Sequence, residues 1–304
     1  MRMQGRVAVV TGAGNGLGRE HALLLAREGA RVVVNDPGGS VNGAGGDNAA
    51  ADKVVAQIRA AGGNAVANYD SVATPEGAQR LIDTAVKSFG RVDALINNAG
   101  ILRDKSFAKM ALEDFEAVLR IHLLGSTYCT KAAWPLMIEQ KYGRVIMTTS
   151  VAGTSGNFGQ ANYGAAKMGL LGLMNVLAVE GAKANIKVNA VSPGATTRMT
   201  QGLGAVSSEI DELMQAAHVA PAVAYMASED CDFSANIITA AAGGFGRVQF
   251  FETAGVQFDP RKPITVDMFA DAVGRLTDLG TAKPTAPGVL GQMPARLATV
   301  GILL

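Results

Sequence analysis

Short apolar runs alternate with longer helical segments through the first 240 residues of the chain, and this alternation constrains its fold. The runs are rich in Val and Ile, as at 7–10 and 31–35. Parallel strands need crossover connections, usually helices, which cover both faces of the sheet. The predicted strands are 7–10, 31–35, 65–69, 94–96, 144–149, 187–192 and 236–240. The predicted helices span about 17–28, 48–61, 75–89, 111–140, 160–183 and 219–228. The pattern predicts an α/β fold with a doubly wound parallel sheet of about seven strands.

Two segments depart from this alternation. Residues 37–47 contain five glycines and are predicted to form a flexible loop. Residues 1–244 carry the regular pattern and are predicted to be one domain, whereas 245–304 form a C-terminal extension. In that extension Thr265 is predicted to cap a helix, and the proline-rich tail after Gly280 is predicted to be irregular.

Composition excludes several classes of function. The formal net charge is +1 with 48% hydrophobic residues, which provides no electrostatic footprint for nucleic acid or an anionic membrane. Cys129 and Cys231 lie far apart and the three histidines lack ligand spacing, so we expect neither a disulfide framework nor a metal site. No apolar stretch has the length of a signal-peptide core or of a membrane span. We therefore expect a soluble cytoplasmic protein.

Ser150, Tyr163 and Lys167 suggest proton-transfer chemistry. In a helix, the four-residue spacing places the Tyr163 phenol and the Lys167 ammonium on one face. A fixed cation beside a phenol stabilises phenolate and lowers its pKa, which makes tyrosine useful as an acid or base. Ser150 can then hold a carbonyl or hydroxyl oxygen. A Tyr–Lys pair at this spacing also occurs on solvated helix faces, so the interpretation depends on the surrounding sequence.

A glycine-rich loop follows the first predicted strand and opens the first predicted helix. It carries Gly12, Asn15, Gly16, Leu17 and Gly18. In this context glycines bring backbone amides and a helix N-terminus against a pyrophosphate. The strict G-x-G-x-x-G pattern is absent, and the spacing is G-x-x-x-G-x-G. The loop is predicted to bind a dinucleotide, a tight turn without a ligand being the alternative.

Asp36 ends the second predicted strand, about 20 residues after the glycines. A carboxylate there can accept hydrogen bonds from both ribose hydroxyls and repels a 2′-phosphate. No Arg or Lys lies between positions 35 and 52. We therefore predict NAD rather than NADP as the cofactor, the alternative being that Asp36 only caps a turn.

With these features in place, residues 5–245 resemble the short-chain dehydrogenase/reductase family. The motif at 97–100, Asn-Asn-Ala-Gly, matches that family's structural motif at the end of the fourth strand. The resemblance implies a Rossmann-type sheet and a homo-oligomer, most simply a homodimer built through the fourth and fifth helices. It also implies cofactor contacts from Asp70, Ser71, Asn98, Ala99, Gly100, Tyr163, Lys167, Pro193, Gly194, Thr196 and Thr197.

Five stretches are more specific: 34–36, 67–72, 98–104, 157–163 and 198–200. They resemble the branch formed by the (3R)-3-hydroxyacyl-CoA dehydrogenase domain of peroxisomal multifunctional enzyme type 2, also called 17β-hydroxysteroid dehydrogenase type 4, and its stand-alone bacterial relatives. The resemblance implies an oxidoreductase of β-oxidation acting on an acyl-CoA or steroid-like secondary alcohol, including steroid side-chain thioesters. A 17β-hydroxysteroid dehydrogenase, a 3-oxoacyl thioester reductase and a non-catalytic nucleotide sensor are the alternatives.

The same resemblance implies roles for four residues. Ser150 orients the substrate hydroxyl, Tyr163 takes its proton, and Lys167 holds the nicotinamide ribose and lowers the Tyr163 pKa. His122 occupies the position where most family members have an Asn that holds a proton-relaying water. An imidazole there can hold the water or the backbone, and a purely structural histidine is the alternative.

Residues 195–217 are predicted to carry the substrate loop. Apolar residues at helical spacing within it fit a lid over an apolar substrate, and a dimer-facing or core helix fits equally well. These residues are Leu203, Val206, Ile210, Leu213 and Met214.

Leu102 and Phe158 are predicted to line the substrate pocket. Arg103, Lys105 and Arg198 are candidates for contacts with CoA phosphates, although isolated surface cations are usually only solvated.

Overall fold

The computed structural model describes residues 1–40, 42–43, 49–196 and 208–303. The chain divides into two compact units, Met1–Arg247 and Val248–Leu304. Each is described by itself.

An eight-stranded sheet forms the centre of the larger unit. Its strands are β1 (Val7–Thr11), β2 (Arg31–Asn35), β3 (Asn64–Asn68), β4 (Ala94–Asn97), β5 (Gly143–Thr148), β6 (Ile186–Gly194), β7 (Ile237–Ala241) and β8 (Gly244–Val248). Their order is β3-β2-β1-β4-β5-β6-β7-β8, and every pair from β3 to β7 is parallel. The predicted doubly wound parallel sheet is confirmed, with β8 added at the β7 edge. The order reverses between β1 and β4, the place where such sheets form a crevice.

The helices of this unit are α1 (Gly16–Arg27), α2 (Ala49–Ala60), α3 (Pro75–Phe89), α4 (Leu112–Leu119), α5 (Gly125–Gln140), α6 (Val151–Thr154), α7 (Ala161–Gly181), α8 (Ser208–Leu213) and α9 (Ala220–Ala227). Apart from α6 and α8, which were not among the predicted helices, they lie close to predicted segments. Strands β1 and β5 are buried along their whole length, which explains why their sequences read as continuous apolar runs rather than alternating ones.

The single helix predicted over 111–140 is wrong in its middle. A π-helical turn over Arg120–Leu124 separates α4 from α5. Downstream hydroxyls bond to backbone carbonyls there: Ser126 Oγ donates to the His122 carbonyl (2.6 Å) and Thr127 Oγ1 to the Leu123 carbonyl (2.8 Å). Ser and Thr bonds of this kind compete with the regular helical ladder and often bend helices. π-turns frequently mark functional sites, and this one contains His122.

The helix α7 is apolar along most of its length. With the turn that follows it, Ala161–Ala184, it is long and apolar enough to cross a membrane by length and composition, at a mean hydropathy of 1.2. It packs against β5, β6 and α4, however, and its buried side chains include Asn162 and Lys167. We therefore interpret it as a core helix of the larger unit.

The smaller unit contains β9 (Phe251–Glu252), α10 (Val266–Leu276), β10 (Lys283–Pro284) and α11 (Met293–Ala298). The Thr265 hydroxyl accepts from the Met268 amide (3.2 Å), so the predicted cap is present. The prediction of an irregular tail is wrong because α11 forms within it. Pro294 lies in the first turn of α11, where no intrahelical N–H is needed, and Arg296 bonds to Glu252 (2.8 Å).

His21 on α1 makes folding stability dependent on pH. It is fully buried, and neither ring nitrogen has a hydrogen-bond partner among the described residues. Burial lowers its pKa to about 3. Below the ordinary histidine pKa of about 6.5, His21 is protonated in the unfolded chain but stays neutral in the folded chain. As the pH is lowered from about 6.5 to about 3, His21 alone should therefore reduce the free energy of unfolding by about 1.4 kcal/mol per pH unit.

Urea unfolding at a series of pH values tests this expectation. Replacing His21 with Leu should flatten the acid limb of the stability curve, and the same measurement on His218→Gln, at an exposed position, should leave it unchanged. Identical limbs in wild type and His21→Leu would contradict the assignment.

Candidate active site

A cavity of about 370 Å³ opens at the carboxyl ends of β1, β2, β4 and β5. It lies at the point where the strand order reverses, as expected for a doubly wound sheet. Thirteen of the residues predicted from the sequence line it: Gly12, Asn15, Gly16, Leu17, Asp36, Ser71, Asn98, Ala99, Gly100, His122, Tyr163, Lys167 and Pro193.

Five of the predicted site residues that the structure describes do not line this cavity: Gly18, Asp70 and Ser150, together with Gly194 and Thr196 after β6. Gly18 lies behind it, where an added Cβ would collide with the Gly12 carbonyl and the Asn98 amide. Asp70 turns its carboxylate to Arg80, with Oδ1 at 2.6 Å from Nε. Ser150 does not line the cavity, but it hydrogen-bonds to the phenol of Tyr163, which does.

The segment after β6 is only partly described. Gly194 is half-buried at the end of β6, and the Thr196 amide donates to the Met214 carbonyl (2.6 Å). Neither Gly194 nor Thr196 lines the cavity. The predicted Thr197 contact, with Leu203 and Val206 of the predicted lid, lies outside the described residues. Ile210 and Leu213 are exposed, and the lid stays a prediction.

Asn98 and Ala99, which follow β4, fix the conformation of the glycine loop. Gly12 has a φ of 62°, and a Cβ there would press on the Ala99 backbone. The Asn98 side-chain amide donates to the carbonyls of Thr11 (2.9 Å) and Gly12 (3.1 Å). These two hydrogen bonds fix the loop at the N-terminus of α1, where Gly16 and Leu17 line the cavity. Asn98 therefore supports the loop that a phosphate would approach.

Asp36 is fixed at the other end of the cavity. Its Oδ2 accepts from the Gly14 amide (2.9 Å) and its Oδ1 from the Gly38 amide (2.7 Å). A carboxylate oxygen has more than one acceptor site, so two amide bonds leave room for hydroxyl donors. The geometry makes Asp36 a rigid anionic acceptor in the cavity wall.

Tyr163 and Lys167 share one face of α7, as the spacing predicted. The Lys167 Nζ lies 5.3 Å from the Tyr163 ring centroid and donates to the Thr148 carbonyl (2.5 Å). Ser150 accepts from the Ala152 amide (3.2 Å) at the start of α6 and also hydrogen-bonds to the Tyr163 phenol. The structure thus brings all three residues together.

The pKa of Tyr163 is raised in this structure, and the predicted lowering of that pKa by Lys167 stays a prediction. Burial raises the Tyr163 pKa, the hydrogen bond from Ser150 opposes this, and the charge of Asp104 adds to it. Lys167 is itself fully buried, and this burial lowers its pKa to about 7.

His122 sits in the π-turn with its ring edge against Tyr163, at a centroid distance of 5.1 Å and an interplanar angle of 88°. Its Nε2 lies 2.8 Å from the Ile101 carbonyl and 3.0 Å from the Ile101 amide. Burial and the nearby Lys167 hold its pKa well below the usual range, so the ring is neutral. Gly100 leaves no room for a side chain beside this ring. His122 therefore holds the backbone of the loop that follows β4, and its role in proton transfer stays a prediction.

The candidate phosphate-binding cations are differently placed. Arg103 pairs with Asp114 (2.9 Å) and donates to the Asn42 carbonyl (3.1 Å), so it is engaged within the fold. Lys105 is exposed, and Arg198 lies outside the described residues.

The predicted pocket residues Leu102 and Phe158 do not line the cavity. Phe158 is 89% exposed on the loop before α7. Their contact with substrate stays a prediction.

Some positions that line the cavity were not predicted from the sequence, among them Thr148 and Asn35. Thr148 and Asn35 line the cavity at the ends of β5 and β2, and each keeps a buried side-chain oxygen without a hydrogen-bond partner among the described residues. Both are the last residue of a strand, at the edge where the other site residues lie, and that position was the available signal. The part of the chain described here contains no group of three or more His, Cys, Asp or Glu residues placed to hold a metal.

The short chain dehydrogenase family model matches residues 6–209, and the chain belongs to that family. It is therefore an oxidoreductase of the class that uses a nicotinamide dinucleotide. A short-chain type dehydrogenase/reductase of Mycobacterium tuberculosis is 53% identical over 281 residues, covering 92% of this chain and 97% of that protein. A 3-oxoacyl-[acyl-carrier-protein] reductase of Synechocystis is 48% identical over 201 residues, 66% of this chain and 78% of that protein.

The chain is also similar to peroxisomal multifunctional enzyme type 2 of Drosophila melanogaster. The identity is 48% over 285 residues, which is 93% of this chain and 47% of that enzyme. The solved full-length structure of the Drosophila enzyme superposes with a TM-score of 0.82 at 40% identity, covering 99% of this chain and 50% of that one. The chain thus spans about half the length of this relative.

Proposed function

We propose that the protein is an NAD-dependent dehydrogenase that interconverts a secondary alcohol and a ketone, with a (3R)-3-hydroxyacyl-CoA as its substrate. The observation that carries the proposal is the shared cavity: Asp36 at one end and Tyr163 with Lys167 at the other border the same 370 Å³ space. An acceptor for a ribose and a proton-transfer pair are thereby placed at the two ends of one dinucleotide site.

The residues present fit a bound dinucleotide. Gly12 and Gly16, both at positive φ, line the cavity without a side chain. Three buried polar atoms lack a hydrogen-bond partner among the described residues: Asn35 Oδ1, Thr148 Oγ1 and His122 Nδ1. All three residues line the cavity. Gly12 and Gly16 would approach the pyrophosphate, Asp36 a ribose, and Lys167 the second ribose. When bound in its oxidised form, nicotinamide supplies the hydride acceptor and a positive charge.

The residues divide the remaining chemistry. Ser150 orients the substrate oxygen next to the phenol. Tyr163 accepts the hydroxyl proton on oxidation and returns it on reduction. Lys167, in its protonated form, supplies positive charge from the same helix face.

Resemblance to the (3R)-hydroxyacyl-CoA dehydrogenase branch supports the thioester substrate. The Synechocystis relative favours a second candidate, reduction of a 3-oxoacyl thioester, for which the same residues would serve. Asp36 argues against that direction, since a carboxylate at this position disfavours the phosphate of NADP.

A turnover screen separates these substrates. The protein with NAD should oxidise (3R)-3-hydroxyacyl-CoA esters, and steroid side-chain thioesters should be included beside (3S) esters and free 17β-hydroxysteroids. Activity on hydroxysteroids with none on any CoA ester would overturn the substrate while leaving the dehydrogenase assignment intact.

Cofactor choice is expected to depend on Asp36. Charge-assisted hydrogen bonds are worth about 1.5–3 kcal/mol each, so Asp36→Ser should lower the kcat/KM ratio of NAD over NADP by about 10- to 100-fold. Steady-state kinetics with both cofactors measures this ratio. Asp70→Asn is the matched control, because its carboxylate faces Arg80 rather than the cavity. A wild-type preference for NADP would refute the cofactor assignment.

We further propose a homodimer. Apolar side chains remain exposed on α5 and α7, at Ile138, Met168, Val176 and Val179. These two helices contact each other in the larger unit and present the kind of surface that a two-fold interface would cover. Light scattering on the purified chain measures this directly.

A further inference from the structure

One buried side chain, that of Asn162, holds the first turn of α7. Asn162 is fully buried and directly precedes Tyr163. Its Oδ1 accepts from the Tyr163 backbone amide (2.8 Å), one of the donors that the first turn of a helix leaves without an intrahelical partner. Its Nδ2 donates to the Arg103 carbonyl (3.0 Å) and lies 3.5 Å from the Asp114 carbonyl. Both ends of the Asn162 amide are therefore bonded within the protein.

Arg103 belongs to residues 98–103, which follow β4 and which we call the exit segment. Residues 98–101 of this segment line the dinucleotide cavity. Arg103 at its end is fixed by its own side chain, which pairs with Asp114 on α4 (2.9 Å) and donates to the Asn42 carbonyl (3.1 Å). Asn162 therefore connects the start of α7 to a well-anchored segment that forms part of the cavity wall.

The ring of Tyr163 is held by the same exit segment at a second point. The edge of the His122 ring packs against it, with the ring centroids 5.1 Å apart. His122 Nε2 lies 2.8 Å from the Ile101 carbonyl and 3.0 Å from the Ile101 amide. The backbone of Tyr163 thus reaches the exit segment through Asn162, and its ring reaches it through His122. Two attachments at different points restrict both the place and the direction of the phenol.

The second bond of Asn162 distinguishes this arrangement from an ordinary helix cap. A cap needs only an acceptor for a free amide, which Ser, Thr, Asp and Asn all provide. A carboxylate could accept from the Tyr163 amide but has no proton to donate to the Arg103 carbonyl, whereas an amide side chain does both. The donated bond joins residues 59 positions apart in the chain, so it serves tertiary placement rather than local helix stability.

We propose that Asn162 is a positioning residue for proton transfer, which sets where the Tyr163 phenol lies relative to Ser150 and to the substrate oxygen. The inference rests on the proposed function, in which Tyr163 exchanges a proton with the substrate. A displacement of about 1 Å at a reacting group can cost about a hundredfold in rate. Loss of the Asn162 bonds should therefore slow the chemical step, while the dinucleotide, which contacts other residues, should bind as before.

The test is the single-turnover rate constant of NADH formation at saturating NAD, with the protein in excess over a (3R)-3-hydroxyacyl-CoA. This constant describes the competent molecules, so a partly unfolded sample does not lower it. Asn162→Ala removes both bonds, and Asn162→Asp keeps the acceptor for the Tyr163 amide but loses the donor to the Arg103 carbonyl. Each should lower the rate constant by about tenfold or more, with the NAD dissociation constant nearly unchanged.

Asn189 on β6 provides the matched control. It is also buried, its Nδ2 donates to the Phe233 carbonyl (3.1 Å), and its Oδ1 accepts from the Asn236 amide (3.0 Å). It therefore makes the same two kinds of bond, but it does not line the cavity. Asn189→Ala and Asn189→Asp should lower the thermal unfolding temperature as the Asn162 variants do, and they should leave the single-turnover rate constant unchanged.

Slow turnover in the folded Asn162 variants, with normal NAD binding and normal rates in the Asn189 variants, supports the inference. A wild-type rate constant in either folded Asn162 variant overturns it. An equal fall in the Asn189 variants, or a parallel loss of NAD affinity, overturns it as well, because the effect would then be a general one. If Asn162→Ala does not fold, Asn162→Asp, which keeps the cap, decides.

Absence of NAD-dependent turnover in the wild type would instead sink the proposed function. The two failures are distinguishable, because only the second is seen without any substitution.

Discussion

Replacing Tyr163 with Phe is expected to lower kcat for alcohol oxidation by about 10²- to 10⁴-fold, the usual range for a lost general acid or base. The phenol is the group at the cavity that hydrogen-bonds to Ser150 and shares a helix face with Lys167. Phe keeps the ring and its edge contact with His122, whose centroid lies 5.1 Å away. Dinucleotide binding should therefore be nearly unchanged, and rapid-mixing kinetics with a separate binding titration measures both quantities.

Tyr142 provides a matched control for that substitution. Its hydroxyl is also buried, without a hydrogen-bond partner among the described residues, but it lies just before β5 between Arg6 and Arg144, at the opposite end of the strand from the cavity. Tyr142→Phe removes the same atom and should leave kcat unaltered. Near-normal turnover by Tyr163→Phe would refute the role of the phenol.

Replacing Lys167 with Met should reduce kcat/KM by about a hundredfold or more, since a buried charged donor contributes about 1.5–3 kcal/mol to each partner it serves. Met has a similar length and removes only the ammonium, whose Nζ donates to the Thr148 carbonyl (2.5 Å). Lys167 is proposed to serve both the cofactor and the phenol. Its loss should therefore weaken NAD binding as well as kcat, in contrast to the loss of the Tyr163 hydroxyl.

The comparison variant for Lys167→Met is Lys131→Met, at an exposed position on α5. It should bind NAD and turn over like the wild type. Unchanged NAD affinity in Lys167→Met would contradict a ribose contact, even if kcat fell.

The fold could be predicted from the sequence because its signals are local. Continuous apolar runs mark β1 and β5, since strands buried on both faces leave no polar alternation. The π-turn over Arg120–Leu124 could not be predicted, because helical periodicity is nearly the same through it. The structure shows the bonds of Ser126 and Thr127 to backbone carbonyls of this turn and the contact of His122 with Ile101.

The composition of the site was predictable and its electrostatics were not. The spacing of Tyr163 and Lys167 placed them on one helix face, but the direction of the Tyr163 pKa depends on burial and on Asp104. Asp104 lies 59 residues before Tyr163 in the sequence. Such a long-range contact leaves no pattern in a single sequence. The hydrogen bond of Asp70 to Arg80 was not predicted either, and the contact of Asp70 with the cofactor stays a prediction.

The proposal that Tyr163 and the dinucleotide cavity carry out alcohol oxidation is tested most directly by isotope transfer. The protein is mixed with NAD and a (3R)-3-hydroxyacyl-CoA carrying deuterium at C3, and the NADH formed is analysed by mass spectrometry. The account predicts one deuterium in each NADH from the wild type and no NADH on the same time scale from Tyr163→Phe. Unlabelled NADH, or labelled NADH formed equally fast by Tyr163→Phe, would contradict it.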